Sequence, residues 1–280
     1  MKLFKKADRA TIFFDDQYFS IEVNDWDNLL NQQNLRAYLY EMIAPMEPIH
    51  IDSELLGAPL DPPMGTQEVW AAGVTYLKSK TARMEEAKEA GGDYFYNKVY
   101  DAPRPELFFK ANVQRTVGHG GFVHIRQDSS WNVPEPELTL FINSEGVIQG
   151  YTVGNDMSSR SIEGENPLYL PQAKVYDRCA SLGPCLYLPE LQIASDSIIQ
   201  LQIHREGNLM FEDSVGIDRM KRTHEELVEY LFMECSFPQG VFLMTGTSLV
   251  PPSEFTLKID DVITITIDHI GTLINHVSQK

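Results

Sequence analysis

The sequence has no long apolar run: nothing in its 280 residues approaches the ~20 consecutive apolar residues of a membrane-spanning helix. Basic residues are scarce. Lys and Arg number 23 against 40 Asp and Glu, a formal net charge of −17. Nucleic-acid binding needs clustered Lys and Arg, and there is no such cluster, so nucleic acid is excluded as a partner and anionic membranes are disfavoured. Cysteines are few and odd in number. Cys179, Cys185 and Cys235 give no disulfide framework and read as reduced, mostly buried thiols. The spacing of Cys179 and Cys185, with no histidine nearby, does not match a zinc site. The opening "MKLFKKADRATIFFDD" has basic residues but neither a long apolar stretch nor a cleavage pattern, so a cytoplasmic location is expected. No Gly-rich phosphate loop, GxSxG elbow or HExxH occurs.

What is present is the composition of a soluble globular chain, 43% hydrophobic and 22% charged, long enough for one large domain or one plus a small one. The acidic excess suits cation binding, but charge alone favours the plainer reading of a soluble, self-repelling surface. "ATIFFDD" and "YFSIEV" read as a hairpin around Asp15–Gln17, and "WDNLLNQQNLRAYLYEMI" as helical, with Leu29, Leu30, Leu35, Leu39 and Ile43 near a 3.6 period. The Pro- and Gly-rich "GAPLDPPMGTQ" marks a boundary, giving a small N-terminal α+β domain at 1–66 and a second domain at 67–280. The strand "EVWAAGVTY" follows, then a polar helix over Thr81–Ala90 closed by Gly91–Gly92 and an aromatic, irregular loop to Pro105. From Glu106 strand signals dominate: "LFFKA", "FVHI", "ELTLFI", "VIQGYTV", "CLYL", "IIQLQIH", "FTLKI", "VITITI" and "TLINHV". One helix interrupts them, "THEELVEYLF", with Thr223 and Glu226 as a capping box. The fold class is therefore mainly β (α+β).

The chemistry concentrates in "NVPEPELTLFINSEGVIQGYTVGND". Residues alternate faces along a strand, so Glu135 and Glu137 point the same way. If the turn "NSEG" sets Ile142 opposite Val147, then Glu135 faces Gly154 and Glu137 faces Thr152. Asp156 then lies on the face of both glutamates, within the ~7–8 Å of diagonal neighbours. A one-residue slip would send Asp156 to the other face. Pro134 and Pro136 lack N–H groups, so this end is no ordinary central ladder. Three crowded carboxylates repel unless protonated or bound to a cation, and oxygen-only ligands favour magnesium, calcium or manganese over zinc. A solvated acidic strand end fits the same residues, so both readings stay open. Arg160, Lys174 and Asp177 lie in the aperiodic stretch that follows. Lys174 is either an ion-pair partner or the group that holds an anionic substrate or enolate oxygen. Thr245, Thr247 and Ser248 in "GTSLVPP" offer hydroxyls suited to a carboxylate, and His119 in "VGHGG" reads as a loop histidine.

Taken together, the E-x-E of Glu135 and Glu137, "NDMSSR" at Asn155 to Arg160, Lys174 with Asp177, Gly183–Pro184, Gly246–Ser248 and "IGTLIN" at Ile270–Asn275 resemble the fumarylacetoacetate hydrolase family, over about residues 68–280. The resemblance implies a mixed β-roll catalytic domain for 67–280. It also implies a divalent ion, usually magnesium, held by Glu135, Glu137 and Asp156, and assembly as a homodimer or homotetramer. Hydrolases of the family commonly follow this tyrosine region with a His and a Glu that activate water. Here no histidine lies between Tyr76 and Tyr100. "ENPLYLPQAK" instead resembles the branch that dehydrates 2-keto-3-deoxy-pentonates. That branch implies a metal-dependent dehydratase acting on a small 2-keto acid and yielding 2,5-dioxopentanoate. An acylpyruvate-type C–C hydrolase, an oxaloacetate decarboxylase and a non-catalytic sugar-acid or calcium-binding protein are the rivals.

In that reading Lys174 adds positive charge beside the developing oxyanion. Glu106, ahead of the strand leading to Lys110 and beside apolar "LFF", is the first candidate for the base, with an exposed strand-end glutamate as the alternative. Arg83 and Glu86 on the polar helix, and Glu165, are placed to close over substrate. Arg160 and Thr247 are candidates for holding substrate or the site.

Overall fold

The computed structural model describes residues 1–50, 59–77 and 98–280. Its strands are β1 Lys2–Lys6, β2 Arg9–Phe14, β3 Gln17–Glu22, β4 Glu68–Gly73, β5 Glu106–Ala111, β6 Thr116–Val117, β7 Phe122–Ile125, β8 Asn132–Val133 and β9 Pro136–Ile142. They continue with β10 Ile148–Asp156, β11 Ser158–Ser159, β12 Ala180–Tyr187, β13 Ile198–Arg205, β14 Asn208–Gly216, β15 Val241–Met244, β16 Val262–Ile267 and β17 Gly271–Gln279. Helices among the described residues include α1 Trp26–Leu30, α2 Leu35–Ile43, α3 Arg160–Glu165, α4 Leu170–Lys174 and α5 His224–Phe232. The protein is mainly β, as its strand signals indicate.

A large sheet runs β3-β2-β1-β12-β10-β9-β15-β4-β5, with β6 added alongside β12. A second sheet runs β14-β13-β16-β17-β7. Between them lies one core, in which Leu138, Leu140, Ile142 and Val153 meet Ile199, Leu201, Ile203, Ile263, Ile265 and Leu273. The opposite face of the large sheet builds another, where Phe141, Leu182, Val69 and Phe242 meet Leu3, Ile12, Leu30, Leu35 and Leu39 from the first 50 residues. Both faces of β9 are covered, which is why it reads as a continuous apolar run rather than an alternation. Each such Leu or Ile contributes about 1.5–3 kcal/mol of burial. The N-terminal hairpin is continuous with the large sheet, since Lys2 and Leu3 pair with Tyr187 and Leu186.

Several local expectations are altered by side-chain capping and register. The stretch 26–43 forms two helices, because Asn34 accepts from the Ala37 amide at 3.0 Å and starts a new one. "FTLKI" is not a strand. Its amides go elsewhere, Leu257 N to Asn132 O and Lys258 N to Asp261 Oδ2. Strand β14 is not among the expected strands; it is an edge of the second sheet and leaves its apolar Leu209 and Met210 exposed. The Asp15–Asp16 turn and the Thr223-capped helix form as expected, with Thr223 Oγ1 accepting from Glu226 N at 3.1 Å. The helix expected over Thr81–Ala90 falls outside the described residues.

Candidate active site

The β9–β10 hairpin places the carboxylates. Its turn spans Asn143 to Val147, with Asn143 N donating to Val147 O and Asn143 Oδ1 accepting from the Glu145 and Val147 amides. Ile142 therefore pairs with Ile148, and a bulge before Gly150 adds one more step, so Glu137 lies opposite Gly154. The register differs by two residues from the simplest four-residue-turn pairing. An even shift preserves the face. It also brings Asp156 level with Glu135, whose carbonyl accepts from the Asp156 amide at 2.9 Å. Pro136 opens β9, where its missing N–H disturbs no interior rung.

Oxygens of Glu135, Glu137 and Asp156 all lie within 4.8 Å of one another, and all three residues are buried. Burial first, then the charges of Asp156 and Glu135, hold the Glu137 carboxyl well above its usual range. The Gly246 amide, donating to Glu137 Oε2 at 2.5 Å, pulls the other way with Lys174. Gly246 adopts φ +95, and a Cβ there would collide with Thr75 Oγ1, so the amide reaches Glu137 only from a glycine.

Among the described residues, three cations face the carboxylates. Lys174 Nζ lies 2.6 Å from Glu135 Oε2 and 3.0 Å from Asp156 Oδ2. Arg160 Nη2 lies 2.7 Å from Glu135 Oε1. Lys110 Nζ lies 2.5 Å from Asp156 Oδ1. All three are buried. The sequence "ENPLYLPQAK" delivers Lys174. Asn166 Oδ1 accepts from Leu168 N to start a turn, and α4 ends on the lysine. Lys110 arrives from β5, four strands away from β10 in the sheet order, so the sheet rolls until its edge meets its middle across the site.

A small pocket, about 10 Å³ in volume, opens on this cluster, lined by Ala72, Gly73, Val74, Phe108, Gly246 and Thr247 beside the charged residues. Thr247 is therefore at the site, where its Oγ1 accepts from Leu249 N at 3.1 Å. Glu106 pairs with Gly73, and its carboxylate lies directly against that glycine, at the pocket's edge rather than in its wall. Arg83 and Glu86 lie outside the described residues. Glu165 is exposed, and Asp177 is on the surface, paired with Lys280 at 2.7 Å. Asn155 points away from the carboxylates and donates to Asn275 Oδ1 at 3.1 Å, tying the hairpin to β17. His119 is half-buried, its Nδ1 accepting from Ile274 N, and burial lowers its pKa.

Sequence reasoning gave Lys110 no role. Its signal was legible: Glu106, Phe108 and Lys110 alternate along β5, so all three share one face. Phe108 lines the pocket under Lys174, whose Nζ is 5.8 Å from the ring centroid.

An ion bound by oxygens at about 2.0–2.6 Å keeps its ligands no more than about 5 Å apart, so the triad fits a hard divalent cation. The model of the fumarylacetoacetate hydrolase C-terminal region matches residues 68–278. The chain belongs to the fumarylacetoacetate hydrolase family. Among curated relatives, it is 49% identical over 217 residues to a probable 2-keto-3-deoxyxylonate dehydratase of Haloferax volcanii, covering 77% of this chain and 74% of that one. It is 44% identical over 230 residues to a 2-dehydro-3-deoxy-D-arabinonate dehydratase of Saccharolobus solfataricus, covering 79% and 74%. A solved 2-keto-3-deoxy-D-arabinonate dehydratase complexed with magnesium and 2,5-dioxopentanoate superposes with a TM-score of 0.85 at 35% identity, over 100% of this chain and 99% of that one.

Proposed function

We propose that this family member is a divalent-metal-dependent hydro-lyase that converts a 2-keto-3-deoxy-pentonate to 2,5-dioxopentanoate, with magnesium held by Glu135, Glu137 and Asp156. The observation that carries this reading is the buried triad of carboxylates facing Lys174 across one small pocket. Formal charge supports it. Among the described residues the three carboxylates of the triad are matched by three cations, and a divalent ion adds two positive charges. A 2-keto acid carboxylate and the enolate made from it supply two negative ones.

When bound, the ion supplies positive charge for the 2-oxo oxygen as it becomes an enolate oxygen. Lys174 adds a buried ammonium to the same region. Glu106 takes the proton from C3 and returns it to the C4 hydroxyl, so that the C4–O bond breaks with the hydroxyl leaving as water. The five-carbon chain stays intact and tautomerises to the 2,5-dioxo acid. Arg160 keeps Glu135 aimed at the cluster. Thr247, already accepting from Leu249 N, has its hydroxyl proton left to donate to the substrate carboxylate. Arg83 completes the substrate contacts in this reading.

Residues 1–66 we read as a small N-terminal unit and 67–280 as the catalytic one, supported by the family match beginning at residue 68. A cytoplasmic location is supported by the free thiols of Cys179, Cys185 and Cys235. Among the described residues no helix is long and apolar enough to cross a membrane. Assembly as a homodimer or homotetramer is supported by exposed Tyr40, Val147 and Leu191 along one open groove, and light scattering checks it.

The test is mass spectrometry of products from metal-stripped protein and 2-keto-3-deoxy-arabinonate, with and without magnesium. Magnesium-dependent loss of one water with all carbons retained is the expected result. Cleavage of an acylpyruvate into two acids, or release of carbon dioxide from oxaloacetate, with no change in the pentonate would overturn it.

A further inference from the structure

Lys110 is 0% exposed, and all three contacts of its ammonium fall on the machinery just described. It forms an ion pair with Asp156 Oδ1 at 2.5 Å and donates to Met157 O at 2.8 Å and to Lys174 O at 2.5 Å. The Tyr176 ring closes the remaining side, with its centroid 5.7 Å from Nζ. A buried ammonium is tolerated only when its charge is paired; here two hydrogen bonds to carbonyls and one ion pair to a carboxylate tie three points together. One is the carboxylate at the end of β10, the second is the carbonyl after it, and the third is the last carbonyl of α4. That last carbonyl belongs to a helix terminus with no intrahelical donor left for it.

We propose that Lys110 is a positioning residue of the reaction. It clamps the end of β10 to the end of α4 and so sets the separation between the Asp156 carboxylate and the Lys174 ammonium. Without the clamp, Asp156 is free to turn about its Cβ–Cγ bond and α4 loses its tether to the hairpin. With it, Asp156 Oδ1 is held back, and Oδ2 is turned toward Lys174 Nζ. Lys110 touches a ligand and the catalytic lysine's backbone but does not line the pocket, so it acts through them. The inference rests on the metal reading above and adds to it a residue outside the cavity.

Loss of the charge and loss of the clamp have opposite signs, which makes the test decisive. If Lys110 were only a nearby positive charge, Lys110→Met would tighten binding of a cation. If it positions Asp156, the same substitution weakens it, as removal of a partner that orients a metal ligand does by about 10- to 100-fold. The measurement uses full-length, metal-stripped protein and Mn²⁺ alone, read by loss of the free-ion EPR signal, followed by kcat and KM with magnesium. Lys280→Met, which breaks the exposed ion pair with Asp177, is the control and keeps wild-type binding and turnover. Lys110→Met is expected to bind Mn²⁺ about tenfold or more weakly. Its kcat should fall about 100-fold, the order that a misplacement near 1 Å costs, with KM changed far less. If that variant fails to fold, Lys110→Arg keeps the charge but moves the donors, and a comparable loss in kcat is expected. Mn²⁺ binding as tight as wild type or tighter, with kcat within about threefold, would overturn the clamp in either variant. Absence of Mn²⁺ binding to the wild-type protein would instead overturn the metal reading, and this inference with it.

Discussion

Two hairpins of this chain are acidic, and they do opposite things with their charge. On β13–β14, Glu206, Glu212 and Asp213 sit along an edge of the second sheet. Glu212 is met by the amides of Gln200 at 3.0 Å and Gln202 at 2.6 Å. On β9–β10, Glu135, Glu137 and Asp156 are buried and met by three ammonium or guanidinium groups. Both segments show acidic residues at strand spacing. The difference lies in what the rest of the fold brings to them. The roll of the large sheet carries Lys110 to the inner hairpin, and α3 and α4 carry Arg160 and Lys174, whereas the outer one faces solvent. Acidic clustering therefore says little by itself. Burial with matched cations marks the site, because unmatched buried carboxylates would cost several kcal/mol each.

The largest effect should come from breaking the inner cluster. Asp156→Asn or Glu135→Gln is expected to lower kcat/KM at least about a thousandfold, the loss of several kcal/mol of charge stabilisation, in magnesium-dependent turnover assays. Glu212→Gln on the outer hairpin should leave it within about twofold. Glu106→Gln comes next. Loss of a proton-transfer group should reduce kcat by about 10²–10⁴-fold while Mn²⁺ binding stays at the wild-type level. Weakened Mn²⁺ binding in that variant would place Glu106 among the ligands rather than at the proton.

Gly246→Ala tests the inner hairpin's backbone donor. A side chain at φ +95 against Thr75 should destabilise the protein by about 1–3 kcal/mol in urea unfolding and loosen the Glu137 carboxylate. Titration sharpens the contrast further. The folded pKa of Glu137 is raised, so the native metal-free protein holds a proton that the unfolded chain releases near its ordinary value of 4.5. Its contribution to stability is therefore lost as pH rises from about 4.5 through the raised folded value, and magnesium should restore it. Thermal unfolding of metal-stripped wild type against Glu137→Gln should show the gap widening in favour of Gln with rising pH. A constant gap would mean that Glu137 titrates normally. The smallest effect is expected on the outer hairpin, where Glu212→Gln should shift stability by no more than about 0.5 kcal/mol.

Much of this was legible in the residues, and the reasons are local. Alternation put Glu135 and Glu137 on one face, and the motif resemblance joined Lys174 to them across 37 residues that carry no common period. The register was not legible, because Asn143 uses its side chain to build a five-residue turn and a bulge follows it. The face survived only because two single-residue steps add to an even shift. Lys110 was missed for a long-range reason. The alternation Glu106, Phe108, Lys110 shows that they share a face, but only the rolling of the sheet shows that the face meets Asp156. The break at Asn34 and the loop at 255–259 were settled by caps and by distant acceptors, which periodicity does not register.

The most direct test of the account is the position of a bound ion. Crystals of the protein soaked with Mn²⁺ should give one dominant anomalous peak, bonded at about 2.0–2.3 Å to oxygens of Glu135, Glu137 and Asp156 together. No peak at the triad, or a peak on the outer hairpin in protein that still dehydrates the 2-keto acid, would contradict it.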